Sequence, residues 1–169
     1  MEARLLFHVG DKIVYPNQGV GTIQYIEDKE FCGEIQKYYK IHLINNNMDV
    51  LIPAKRLEHC NLRGISDINT LNNLLSDFKH PDFDLENFIS STSKQRIIDN
   101  NEKLKVGSLK NFFEVVYDLT KLNAVKSLNL NEKQILFKAK KFLLDEISLI
   151  KNISEEEADE FLNENLIIH

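Results

Sequence analysis

The sequence predicts an α+β protein of two domains: a small SH3-like or Tudor-like β-barrel over residues 1–64, then a compact bundle of about five α-helices over residues 65–169. Three observations carry that prediction. Apolar residues alternate with a period of two through roughly the first sixty residues, with turn signals about every ten. Near residue 65 the period changes to that of a helix. At the same place the chain passes from a neutral segment into strongly charged blocks.

The strands follow from local chemistry. In "GDKIVYPNQGVGTI" the first strand stops at Pro16, which cannot donate to a ladder, and Asn17, Gly19 and Gly21 let the chain reverse and curl. "GTIQYIEDKEF" and "IQKYYKIHLI" flank a turn at Cys32-Gly33-Glu34. In the second of them Tyr39, Ile41 and Leu43 alternate with Tyr38, Lys40 and His42, the pattern of a half-buried strand. Asn45-Asn46-Asn47 tolerates a tight reversal into "MDVLIP", where Met48, Val50 and Ile52 point inward, Asp49 and Leu51 outward, and Pro53 ends the strand. A segment this short cannot make a sandwich, so it buries one face by curling.

The helices are marked by stripes and caps. Gly107 and Ser108 open "SLKNFFEVVYDLTKLNAVKSL", whose stripe is Leu109, Phe112, Phe113, Val116, Leu119 and Leu122. Asn129 or Asn131 caps "NEKQILFKAKKFLLDEISLIK", with Leu136, Ala139, Leu143, Ile147 and Ile150 on one face. Ser154 and Glu157 fit a capping box for a last helix, closed by Phe161 and Leu162. "ISDINTLNNLLSDF" is a shorter helix, cut off by Pro81, and "FISSTSKQR" is poorly patterned.

Composition narrows the function. Residues 1–65 hold eight basic and eight acidic residues, residues 66–90 one and five, residues 91–151 twelve and seven, and residues 152–169 none and six. A basic block inside a protein of net charge -5 suits either a local anionic contact, nucleic acid included, or a solvated helix face balanced by an acidic tail. No phosphate-cradling loop, nucleophile elbow or metal-binding pattern occurs, and the five histidines are scattered, so no enzyme, cofactor or small-molecule substrate is expected. Cys32 and Cys60 read as buried thiols. With no long apolar run and no apolar leader in "MEARLLFHVGDK", a cytoplasmic protein without membrane contact is expected. What remains is binding, for which "MDVLIP" is the candidate open edge, covered either by a partner strand or by the helical domain.

"VGDKIVYPNQGVGTIQYIE", Gly33-Glu34, "KYYKIHL" and "VLIPAKRLEHCNLRGISD" together resemble the N-terminal domain of the CarD (CdnL) family of bacterial transcription regulators. Transcription-repair coupling factors share that RNA polymerase-interacting module, but this chain lacks a helicase's nucleotide-binding motif. "NEKLKVGSLKNFFEVVYDL" and "LNLNEKQILFKAKKFLLDEI" resemble the family's helical domain. The resemblance implies two handles: edge-to-edge strand pairing with the β subunit of RNA polymerase, through Val50, Leu51, Ile52, Pro53 and Lys29, and contact with promoter DNA near the melted region. Lys29 stands where the family has Arg, and Leu51 where some members have Arg. By the same resemblance the DNA-facing residues are Ser93, Lys94 and Arg96. Lys133 and Lys140, seven apart on one helical face, either add attraction to phosphate or solvate the surface, and the acidic last helix is expected to face away. The family's wedge Trp is missing and Ser93 occupies its position; Phe88, five residues earlier, is either a core residue of the bundle, the favoured reading, or a substitute for the wedge. The alternative expectation is a polymerase-binding module with weak or no DNA engagement. The implied location is the cytoplasm, on the nucleoid when polymerase is bound.

Overall fold

The computed structural model describes residues 6–78 and 84–166. The chain forms two compact units, Met1–Ile65 and Ser66–His169. Pro81, expected to end a helix, lies outside the described residues.

The first unit is a five-stranded antiparallel sheet in the order β4-β3-β2-β1-β5, made of β1 (Lys12–Tyr15), β2 (Gly19–Phe31), β3 (Glu34–Leu43), β4 (Met48–Pro53) and β5 (Arg63–Gly64). The predicted small barrel is thus present in an open form, with β4 and β5 as its edges. Its inner face buries Ile13, Ile23, Tyr39, Ile41, Leu43 and Ile52, and Leu57 from a 3-10 helix, Ala54–Cys60, packs on them. A bulge between Ile23 and Tyr25 shifts the β2–β3 register and lets the long β2 bend over this core. Met48 departs from the expected inward set: it is exposed, because the strand begins beyond the rim of the core.

Turn chemistry explains the interruptions. Asn17 and Gly19 hold positive φ in the β1–β2 reversal. Gly21 has another reason to be glycine: a Cβ there would sit 2.9 Å from the His42 carbonyl oxygen and 2.9 Å from Ile41 Cγ2. The β2–β3 turn places Cys32 and Gly33 both at positive φ, the geometry of a two-residue hairpin. That turn exposes Cys32, contrary to the buried thiol expected, because the hairpin extends past the core. Cys60 is partly buried and accepts a long contact from the Tyr15 hydroxyl at 3.9 Å.

The second unit contains six helices among the described residues, one more than the sequence suggests: α1 (Ile68–Phe78), α2 (Leu85–Ser90), α3 (Ser93–Val106), α4 (Leu109–Val125), α5 (Leu130–Lys151) and α6 (Glu155–Asn165). The extra one is α2, which overlaps the start of the poorly patterned stretch and is capped by Asp84. Central α4 buries the predicted stripe; Phe112 stacks obliquely on Phe142 at 5.6 Å, and Phe78 closes on Phe113 at 5.7 Å. On α5 the inward stripe runs through Ile135, Ala139, Leu143 and Ile147, so Ile135 takes the place expected for Leu136, which is only half-buried. Leu162 seals the core from α6, while Phe161 lies under the Lys151 ammonium at 4.4 Å. Ser108, Asn129 and Ser154 all cap as predicted, the last two in complete capping boxes.

Two predictions follow from this packing. Gly21→Ala should destabilise the protein by about 1–3 kcal/mol through strand overpacking, whereas Gly64→Ala, which meets open space, should stay within about 0.5 kcal/mol of wild type in urea denaturation. Asp118, facing Lys103 at 3.4 Å with Glu114 bound to the same ammonium, is pushed up to about 6 by burial. The folded state therefore holds this proton more tightly than the unfolded chain, and the group costs stability as pH rises from about 4 to about 6. Relative to wild type, Asp118→Asn should gain stability across that window and keep a constant offset above it; denaturation curves at stepped pH measure the difference.

Candidate functional site

On the sheet, strand order leaves β4 with one partner, so alternate backbone amides and carbonyls of Met48–Pro53 point away from β3. The outer face beside this edge is built by register. Tyr25 pairs with Lys40, and Lys40 with Leu51, making one row across three strands. The Lys40 ammonium stands 5.1 Å over the Tyr25 ring and bonds Asp49 at 2.8 Å. His42 Nδ1 meets the other Asp49 oxygen, also at 2.8 Å. Hydrogen bonds from Lys40 and His42 hold the Asp49 carboxyl below its ordinary range. Leu51 remains 45 % exposed in this row, an aliphatic residue bordered by fixed charges. Val50 and Ile52 turn to the inner face, so their side chains serve the core and only their backbone is offered at the edge. Lys29 lies farther out on the hairpin, ion-paired with Glu27 at 2.9 Å, which raises its pKa. Exposed Phe31 and Ile35 flank the hairpin tip.

In the helical unit the expected DNA-facing residues separate into two kinds. Ser93 and Lys94 are exposed at the start of α3, just after the cap in which Thr92 accepts the Gln95 amide at 3.2 Å. Lys133 is exposed in the first turns of α5. Arg96 is a correction: only 3 % exposed, it cannot reach a phosphate. Its Nε and Nη2 each lie 2.8 Å from Glu132 Oε1, and Nη1 donates to the Ser91 carbonyl. Glu132, equally buried, accepts the Asn129 amide on Oε2 at 3.0 Å. One ion pair therefore ties the α2–α3 connection to the N-terminus of α5. The Arg96 guanidinium also covers the Phe88 ring at 5.8 Å, leaving that aromatic half-buried and held in place.

Lys140 lies on the α5 face that α6 covers in part. It pairs with Asp159 at 2.7 Å, and Lys141 with Glu155 at 2.7 Å, because acidic α6 packs along this part of α5 instead of facing away. Sequence reasoning had no signal for either pairing, since the partners lie on another helix. The exposed cations that persist, Lys94 and Lys133, flank two helix N-termini, where peptide dipoles add to the positive potential. Among the described residues no group of three or more His, Cys, Asp or Glu could hold a metal ion, and no helix is long and apolar enough to cross a membrane.

An open sheet edge in one unit, and exposed Lys94 and Lys133 at two helix N-termini in the other, are the candidate contact surfaces of this two-unit chain. Comparison with known families makes the class specific. Residues 7–66 match the CarD-like/TRCF RID domain, and residues 83–163 match the CarD C-terminal domain. The chain is 38% identical over 156 residues to YdeB of Bacillus subtilis, described as a candidate transcription factor, covering 92% of this chain and 99% of that one. Two solved Myxococcus xanthus structures are also similar. The N-terminal domain of CarD is 31% identical, spanning 37% of this chain and 83% of that one with a TM-score of 0.31. The chain described as CdnLNt is 37% identical, spanning 38% and 92% with a TM-score of 0.32. The chain belongs to the CarD family of transcription regulators, and its first domain is of the RNA polymerase-interacting type.

Because the Arg96–Glu132 pair is buried, removing one partner strands the other. Arg96→Ala should cost about 3–5 kcal/mol of folding stability. Arg96→Met combined with Glu132→Met should cost less than the sum of the single changes, a coupling of up to about 3 kcal/mol in a double-mutant cycle.

Proposed function

We propose that this protein binds the β subunit of RNA polymerase through the β4 edge, contacts promoter DNA through the α3 and α5 N-termini, and thereby modulates the stability of the open complex. The observation that carries the first half is the unpaired edge of β4 with Leu51 exposed beside it. Backbone groups at such an edge supply affinity by adding a strand, and the outward side chains supply selection. Leu51 offers apolar contact where a charged residue would offer an ion pair, and Lys29 contributes charge from the hairpin. Val50, Ile52 and Pro53 belong to this site through their backbone, with Pro53 ending the strand where no amide can continue it.

The DNA half rests on exposed Ser93, Lys94 and Lys133 around two helix N-termini. Lysines there neutralise phosphates and make binding salt-dependent. A serine hydroxyl has no large apolar face to hold an unstacked base step, so any effect on the open complex comes from phosphate contacts and not from a wedge. In the cell this reading places the protein in the cytoplasm, and on the nucleoid while polymerase is bound. The missing wedge and the burial of Arg96 favour a second reading, in which the protein holds polymerase and engages DNA weakly or not at all.

Leu51→Asp with Lys29→Glu should abolish co-purification with the β subunit while leaving thermal stability near wild type; retained binding would refute the edge as the polymerase site. Open-complex lifetime on a promoter fragment separates the two readings. The first expects a changed lifetime that depends on Lys94 and Lys133, each substitution to Ala lowering the salt slope of DNA binding by about 1. The second expects no change at saturating protein, with an effect appearing in Ser93→Trp.

A further inference from the structure

Between α3 and α5 lies a groove of about 400 Å³ that the polymerase and phosphate contacts leave unused. Its α3 wall is Ile97, Asn101 and Leu104; its α5 wall is Asn131, Gln134 and Ile135, with Lys138 at one side. Three aliphatic side chains form an apolar lining, three carboxamides add donors and acceptors, and among the described residues no carboxylate lines it. The Lys138 ammonium sits 5.6 Å over the Phe142 ring. The helices run side by side here because the Arg96–Glu132 pair joins them near their starts.

We infer that this groove receives one unpaired nucleobase of DNA whose phosphate is held at the groove's mouth. This rests on the DNA-contacting reading above and deepens it. Lys94 is exposed one helical turn before Ile97 and two before Asn101, on the same stripe of α3, so it stands at the N-terminal end of the groove. The N-termini of α3 and α5 lie at that same end, adding the partial positive charge that favours a phosphate. Carboxamides match the mixed donor and acceptor edges of a base, and aliphatic side chains pack on its face. A nucleotide carries a flat base and, one sugar away, the phosphate that Lys94 would hold, and one base fits within this volume. Capture of an unpaired base gives a route to favour melted DNA that needs no wedge aromatic.

The test uses the full chain and fluorescence anisotropy at low salt, with two probes: a fully paired duplex, and the same duplex with a short single-stranded extension. Wild type should prefer the extended probe. Asn101→Leu and Gln134→Leu should each weaken binding to the extended probe about tenfold, the worth of one lost pair of hydrogen bonds to a base, and leave duplex binding unchanged. An abasic residue, stepped through the first unpaired positions, should remove the preference at one of them. Equal affinity for both probes, or a preference that survives the substitutions and every abasic position, overturns the groove's role while leaving the phosphate contacts standing. Failure of the DNA-contacting reading looks different: neither probe binds, and the groove proposal falls with it. Melting temperatures of both variants near that of wild type confirm that a lost preference reflects lost contacts and not unfolding.

Discussion

The buried ion pair between Arg96 and Glu132 is the constraint from which the architecture of the helical unit's exposed end follows. Burying two charges is unfavourable unless nearly every donor and acceptor is used, and here they are used on three elements at once. Glu132 caps α5 with one oxygen and receives two guanidinium nitrogens on the other, while Arg96 reaches back to the Ser91 carbonyl that ends α2. Those bonds fix the entry of α3, set α5 alongside it and press Phe88 under the guanidinium. The surface lysines at this end, Lys94 and Lys133, sit on backbone that this pair holds in place. Of the neighbouring cations Lys94 and Arg96, one remains outside and the other becomes internal support.

The sheet unit reaches a comparable division by different means. Its inner face takes the apolar residues of each strand, and Gly21 allows β2 to lie close against β3. The outer face carries Tyr25, Lys40 and Leu51 in register, with Asp49 held by two cations. Because β4 is last in order, this face ends at an unpaired backbone edge. Fixed charges beside an exposed leucine keep such an edge from pairing indiscriminately while leaving it open to a complementary strand.

Much of the fold was legible in the sequence because the interactions that set it are local. Period-two alternation in β3, the positive-φ residues of the turns, and the caps at Ser108, Asn129 and Ser154 all act within a few residues. The surface was less legible. Arg96 reads as a solvated cation beside Lys94, and only its partner 36 residues away makes it internal. Lys140 shares a helical face with Lys133, and Lys141 lies on a neighbouring stripe, but α6 pairs with both Lys140 and Lys141 from across the helix pair. Helix α2 escapes pattern reading because six residues are too few to show a period. Met48 follows the strand's alternation but lies past the edge of the core, which alternation alone cannot locate.

The central claim is that the protein's work is divided between the β4 edge and the shared end of α3 and α5. Amide hydrogen exchange of the full chain, alone and bound to RNA polymerase on promoter DNA, tests it most directly. The account predicts slowed exchange at the outward amides of Met48–Pro53, and at residues 92–95 and 129–133 only when DNA is present. Unchanged exchange along β4 in the polymerase complex would contradict it.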